Sequence, residues 1–140
     1  MNLDHLKFVD AYAAYNLTPE SEGLHKELGV RAFWLDEEGR AYMQMDATGP
    51  TLNPFGSVHG GSIFALCDMA AECCVVSRGL LAVTLDSHIH FYRPAKPGMT
   101  LTAVAEIRKD GKKTAVCVAR TLDETDQVLA EASFTFYYIK

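Results

Sequence analysis

The stretch NPFGSVHGGSIFALCDMAAECCVV, residues 53–76, decides the fold. It places a proline and several glycines ahead of a long apolar run that acidic residues interrupt only twice. From Gly60 to Ser77 the apolar residues recur at helical spacing, and Gly79 supplies a C-terminal stop. A helix that is apolar nearly all round must be covered on most sides. We therefore expect this helix to lie in the middle of the domain.

The remainder of the chain has the composition of β-strands joined by turns. Two short runs precede the helix and four long runs follow it, with Pro, Gly and Asp residues between them. The predicted strands are 30–35, 41–46, 80–92, 100–110, 113–123 and 128–139. Short links predict that successive strands are antiparallel neighbours. With an N-terminal helix expected over residues 1–17, the prediction is an α+β hotdog fold, in which an antiparallel sheet of about six strands wraps around the central helix.

Length and charge limit the domain count and the classes of partner. The 140 residues suit one domain, so we expect residues 1–140 to fold together. The net charge of -5 has the wrong sign for nonspecific nucleic-acid binding. The longest apolar stretch is too short and too acidic to span a membrane, and the chain start does not resemble a signal peptide. The four cysteines lack metal or redox spacing, which predicts buried, reduced thiols in a cytoplasmic protein.

The position of Asp68 within the apolar helix requires an explanation. A carboxylate between Cys67 and Met69 loses hydration that a surface acid keeps. It must therefore be paired, protonated or employed in chemistry. Spacing alone favours pairing with a buried arginine or capping of a neighbouring loop.

Two segments resemble the hotdog acyl-CoA thioesterases of the phenylacetate-pathway (PaaI-type) group. The first is NPFGSVHGGSIFALCDMA, residues 53–70, in which Asn, Gly and Asp follow the spacing Asn-x6-Gly-x7-Asp. The second is FYRPAKPGMTLTAVAEIRKDGKKTAV, residues 91–116. The resemblance implies an enzyme that hydrolyses an acyl- or aryl-CoA thioester to the free acid and coenzyme A, with no metal or redox cofactor.

The resemblance also implies roles for individual residues. Asp68 is then the base or nucleophile that acts on the thioester, Asn53 orients the water or the carbonyl, and the Gly60 amide forms an oxyanion hole. His59 supports this loop, and Thr84 helps to hold the attacking water. Physical chemistry independently suits Gly60 to its role, because the first helical turn leaves N–H groups unpaired and the helix dipole favours negative charge.

Several of these residues also have a structural interpretation. Asn53 can hydrogen-bond its own loop, as Asn before Pro and Gly commonly does. Gly60 can simply admit a tight loop to the helix, and His59 can be purely structural. Arg93 is a candidate contact for the coenzyme A phosphates, although basic residues at strand ends are usually just solvated.

His88 and His90 have a spacing that suits a metal ion. Residues two apart project from one face of a strand, and imidazole is a common metal ligand. The sequence shows no third ligand, so it does not predict a metal site.

Helix geometry adds an inference about assembly. Gly60 and Asp68 are eight residues apart, which is about 12 Å along the helix axis and about 80° around it. Reacting groups lie about 3–3.5 Å from their target. One helix therefore cannot present both residues to one carbonyl, and we expect the active site to straddle the two-fold axis of a homodimer. Whether such dimers pair into homotetramers stays open.

Two other functions on this fold remain as alternatives. One is a non-catalytic acyl-CoA-binding protein, although no DNA-binding extension flanks the predicted domain. The other is an acyl-thioester hydratase, which pairs an acid with a histidine, whereas this chain has Cys73 at the position of that histidine. The sequence identifies neither the acyl group nor whether Asp68 is a base or a nucleophile.

Overall fold

A computed structural model describes residues 1, 7–9, 23–31 and 33–139 of the chain. The described strands are β1, Lys7–Val9; β2, Phe33–Leu35; β3, Ala41–Asp46; β4, Ala82–Phe91; β5, Thr100–Asp110; β6, Thr114–Leu122; and β7, Val128–Tyr138. The described helices are α1, Gly23–Leu28, and α2, Gly60–Val76, and a short 3-10 turn spans Gly49–Thr51.

The strands form one sheet in the order β1-β2-β3-β5-β6-β7-β4. Every neighbouring pair is antiparallel. The sheet wraps around α2, which packs against β3, β4, β5, β6 and β7. This arrangement confirms the predicted hotdog fold, with one more strand than the sequence predicted.

Helix α2 forms the centre of the core, as its composition predicted. Its buried residues occur on all sides of the helix: Ser62, Ile63, Leu66, Cys67, Met69, Ala70, Ala71, Cys73, Cys74 and Val75. The helix ends at Val76, and Gly79 then adopts a positive φ of 82°, which glycine tolerates best. The predicted helix bounds are therefore confirmed to within one residue.

The position of β4 differs from the prediction. We expected β4 beside β5, but β4 pairs with β7 and lies at the edge of the sheet. The link between β4 and β5 does not fold back as a hairpin, because it is tied to the loop that leads into α2. The Val58 N–H donates to the Ala95 carbonyl at 2.9 Å, and the Ala47 N–H donates to the Met99 carbonyl at 2.8 Å.

The helix predicted over residues 1–17 lies largely outside the described residues. Where the two overlap the prediction is wrong, because Lys7–Val9 form β1 and pair with β2. Pairing with a distant strand here overrides the local amphipathic pattern. The N-terminal helix that the structure describes is α1.

Candidate active site

His59 caps the entrance to α2. Its Nδ1 accepts a hydrogen bond from the Gly61 N–H at 2.8 Å, and the backbone N–H of His59 donates to the Thr51 carbonyl at 2.8 Å. The Ser62 hydroxyl donates to the same carbonyl at 3.0 Å. A Cβ at Gly61 would lie 2.9 Å from the His59 Nδ1, so a larger residue there would displace the cap. These contacts make His59 the N-cap of α2, and the supporting role in catalysis that the resemblance implied stays a prediction.

The Gly60 N–H lies at the same helix terminus and is a candidate donor to an anion. It has no hydrogen-bond acceptor within the described part of the chain, and the helix dipole favours negative charge there. The Phe91 ring packs directly against this glycine, since a Cβ at Gly60 would lie 3.2 Å from the Phe91 Cζ. Gly60 therefore admits the ring while its N–H stays available.

The oxygen and the nitrogen of the Asn53 side-chain amide have different roles. Its Oδ1 accepts from the Phe55 N–H at 2.9 Å and from the Ser57 N–H at 3.1 Å, which fixes the loop before α2. Its Nδ2 makes no hydrogen bond to any described residue. Asn53 thus has the structural role that its sequence context allowed, and it retains a free amide donor.

A cleft of about 370 Å³ brings together residues that are distant in sequence. It is lined in part by Asn53, Gly60, Ile63, Phe91, Tyr92 and Arg93. Arg93 is exposed, and its backbone is anchored because the Tyr92 and Arg93 N–H groups both donate to the Leu129 carbonyl. The cleft therefore combines two free hydrogen-bond donors with a cation.

Asp68 lies apart from this cleft and contacts the other end of β4. It is half-buried, and its Oδ1 accepts a hydrogen bond from the Thr84 hydroxyl at 2.7 Å. Burial raises the pKa of the Asp68 carboxyl above its usual range, while the Thr84 hydrogen bond and the nearby His25 partly oppose that shift. No arginine among the described residues forms an ion pair with Asp68, so the geometry does not support the structural alternative of a buried pair.

The sequence did not identify two residues of the candidate site, one near Asp68 and one near Gly60. His25, on α1, is close enough to Asp68 to influence its pKa, and Phe91 covers Gly60. The chain separates His25 from Asp68 by more than forty positions, and no local pattern connects them. Only the tertiary fold brings these side chains close to Asp68 and Gly60.

The cysteines are not part of the candidate chemistry. All four are buried and none forms a disulfide, which confirms the predicted buried, reduced thiols. Burial raises the pKa of Cys67 to about 11 and the pKa values of Cys74 and Cys117 to about 12. These thiols are therefore protonated and poorly nucleophilic near neutral pH.

Known proteins resemble this chain both in fold and in the sequence of residues 55–130. Residues 55–130 match the family described as Thioesterase superfamily. The chain is 35% identical over 128 residues to the acyl-coenzyme A thioesterase PaaI of Escherichia coli, which covers 91% of this chain and 88% of that protein. The solved structure of E. coli PaaI superposes with a TM-score of 0.81 at 34% identity, over 93% of this chain and 91% of that chain.

A structure from Streptococcus mutans, smu.793 bound to acetyl CoA, is also similar. It has 32% identity and a TM-score of 0.71, over 76% of this chain and 86% of that chain.

The chain belongs to the thioesterase superfamily, as a PaaI homologue with the hotdog fold. This assignment confirms the family, the fold and the enzyme class, a thioester hydrolase, that the sequence resemblance implied. None of the helices in the described ranges has the length and apolar character needed to cross a membrane.

Proposed function

We propose that this protein is an acyl-CoA thioesterase whose active site combines Asn53, Gly60 and Arg93 of one subunit with Asp68 and Thr84 of a second copy. The observation that carries the proposal is the separation of the candidate groups. The cleft contains the free N–H donors and a cation, while the half-buried carboxylate lies at the opposite end of β4. A two-fold symmetric dimer reunites them.

The free edge of β4 provides the surface for such a dimer. Within the described sheet β4 pairs only with β7 and exposes 47% of Val83 and 59% of Leu85. A long, unpaired edge strand that exposes apolar side chains is prone to pair with another strand. Thr84 holds Asp68 near one end of β4, and Phe91 covers Gly60 near the other. Antiparallel pairing of β4 with its copy therefore brings the Asp68 end of one subunit to the Gly60 end of the partner.

The chemistry needs a base, an oxyanion site and a leaving group. In the general-base route, ionised Asp68 removes a proton from water while the water oxygen bonds to the thioester carbonyl carbon. The Gly60 N–H and the Asn53 Nδ2 donate to the carbonyl oxygen as it becomes negative. The carbon–sulfur bond then breaks, and coenzyme A leaves as a thiolate. In the nucleophilic route, the Asp68 carboxylate attacks the carbonyl carbon, the carbon–sulfur bond breaks with loss of coenzyme A thiolate, and water then hydrolyses the resulting anhydride to the free acid and Asp68.

Arg93 supports coenzyme A as the leaving group. Its exposed guanidinium stands at the cleft mouth, where it suits the phosphates of that molecule. The name of the E. coli relative and the acetyl CoA bound to the S. mutans protein agree with the same substrate class.

Three further expectations from the sequence stay predictions. They are a single domain over residues 1–140, the cytoplasm as the compartment, and pairing of dimers into tetramers.

Product analysis on a panel of acyl-CoA substrates tests the function. The panel contains aryl, short, medium and long acyl groups, and each reaction is followed by thiol release and by the fate of the acyl chain. Release of free coenzyme A with stoichiometric free acid supports hydrolysis. A change in acyl unsaturation without thiol release would identify a hydratase, and saturable binding without turnover across the panel would identify a binding protein.

A further inference from the structure

His88 and His90 form a close pair on the face of the sheet that points away from α2. Ile89, between them, packs against the core opposite Ala132, so strand alternation directs both histidines outward. Both side chains are exposed. Their Nε2 atoms are 2.9 Å apart, and the His90 ring stacks on Tyr92 with a centroid separation of 6.2 Å.

The geometry of the pair fits two ligands of one metal ion. With metal–nitrogen bonds of about 2.05 Å, a separation of 2.9 Å between the Nε2 atoms subtends about 90° at the metal. Two imidazole rings aimed at such an ion have centroids about 4.5 Å apart, and the observed separation is 4.5 Å. The same contact is also a hydrogen bond, in which one neutral imidazole donates to the other, so a metal ion bound here would displace the shared proton.

The angle discriminates between metals. A right angle between ligands is typical of square-planar and octahedral ions such as Cu²⁺ and Ni²⁺. Tetrahedral Zn²⁺ needs an angle of about 109°, which would place the two nitrogens about 3.4 Å apart.

A metal ion held by this pair needs further ligands. Within the described part of the chain no group of three His, Cys, Asp or Glu residues is arranged to hold a metal ion. The dimer proposed above sets Thr84 of one β4 near the partner subunit's Phe91, so the two-fold axis passes close to residues 87 and 88. The partner subunit's Asp86 and the partner subunit's His88, which point to the same outer face, then approach the first pair.

We propose that His88 and His90 form the chelating half of a Ni²⁺- or Cu²⁺-type site on the outer face of the sheet, which a second copy of the chain completes at the dimer axis. The part played by the second copy rests on the proposed dimer. The site is separate from the thioesterase chemistry, since these histidines and Asp68 lie on opposite faces of the sheet. A net charge of -5 favours any cation at this surface.

Calorimetric titration of metal-free protein with NiCl₂, CuCl₂ and ZnCl₂ tests the chelating pair. Ni²⁺ should bind more tightly than Zn²⁺, and His88→Gln or His90→Gln should weaken Ni²⁺ binding by about tenfold or more. Tyr92→Phe is the matched control, because it keeps both imidazoles and removes only the hydroxyl that bonds to Glu131. Equal Ni²⁺ affinity in the wild type and the double histidine variant, or tighter binding of Zn²⁺, would overturn the site.

Sedimentation over a dilution series tests the contribution of the second copy. NiCl₂ should lower the dimer dissociation constant of the wild type by about tenfold or more and leave that of His88→Gln unchanged. Nickel binding without any effect on dissociation would overturn the shared site. Thioester hydrolysis in EDTA, measured on the same samples, reports separately on the proposed function and verifies that the histidine variants are folded.

Discussion

At the scale of single residues, Asp68 shows how burial and one hydroxyl set the properties of a carboxylate. Burial raises the pKa of Asp68, and the Thr84 hydrogen bond opposes the rise without cancelling it. A carboxylate with a raised pKa is a stronger base than one in water, and it remains ionised wherever the pH exceeds that value. The residue is therefore suited to proton transfer.

Asp68→Asn should remove most turnover while leaving the protein folded. We expect kcat to fall by about 10²–10⁴, because an amide neither accepts the proton nor attacks the carbonyl. Glu72→Gln is the matched control, since it removes the other carboxylate of α2, one turn later, and should retain activity. The measurement is steady-state thiol release, and undiminished kcat in Asp68→Asn would exclude Asp68 from the chemistry.

The same substitution should not reduce stability at neutral pH. A carboxyl whose pKa is raised on folding stabilises the native state fully only below its unfolded pKa, and that contribution is lost as the pH rises through the folded pKa. The ionised carboxylate of the wild type is therefore unfavourable at pH 7, and asparagine relieves it. Thermal unfolding at pH 7 checks this, and a large fall in Tm would instead indicate a buried ion pair.

Thr84→Val should move the pH dependence of the reaction. The Thr84 hydroxyl lowers the pKa of Asp68, so its removal raises that pKa further. The rising limb of kcat/KM against pH should shift to higher pH in Thr84→Val and stay near the wild-type position in Thr84→Ser, which keeps the hydroxyl. A profile that shifts equally in both variants would show that the hydroxyl does not tune Asp68.

Two substitutions separate the structural and catalytic roles of Asn53. Asn53→Ala removes the oxygen that holds the Phe55 and Ser57 N–H groups, so it should lower both Tm and kcat/KM. Asn53→Asp keeps an acceptor for those groups but loses the Nδ2 donor. It should preserve Tm better and still reduce kcat/KM by about 10²–10³, the loss typical of one oxyanion donor. Full activity in Asn53→Asp would leave Asn53 with a purely structural role.

At the scale of elements, α2 supplies both the core and the site. Its N-terminus presents the Gly60 N–H, and its buried part carries Asp68 and three of the four cysteines. Its bounds could be predicted because the helical spacing of its apolar residues and the Gly79 stop are local features of the sequence. The edge position of β4 could not be predicted, because strand order depends on where the link between β4 and β5 is tied down.

The cysteines of α2 should affect stability and not turnover. Cys74→Ala removes a buried thiol that donates to the Ala105 carbonyl at 3.0 Å, so we expect a lower Tm with kcat unchanged. Cys73→Ala should behave similarly for turnover. Inactivation of either variant in a folded protein, judged by circular dichroism, would reopen the question of a thiol nucleophile.

At the scale of the whole molecule, the proposed site exists only between two subunits. Asp68→Asn subunits mixed with Asn53→Ala subunits should therefore complement each other. In each mixed dimer one site carries both defects and the other is intact, so random exchange of equal amounts should restore about a quarter of wild-type activity. The measurement is thiol release after mass spectrometry has verified that mixed dimers have formed by subunit exchange. Exchange without recovered activity would contradict the shared site.

The hotdog fold, the bounds of α2 and of most strands, and the conclusion that Gly60 and Asp68 cannot serve one carbonyl from one helix could all be predicted from the sequence. These follow from local patterns and helix geometry, which nearby residues encode. Only the tertiary structure decided that β1 replaces part of the predicted helix, that β4 forms the sheet edge, and that Arg93 joins Asn53 in one cleft. Such contacts join residues far apart in the chain, and packing around α2 selects them.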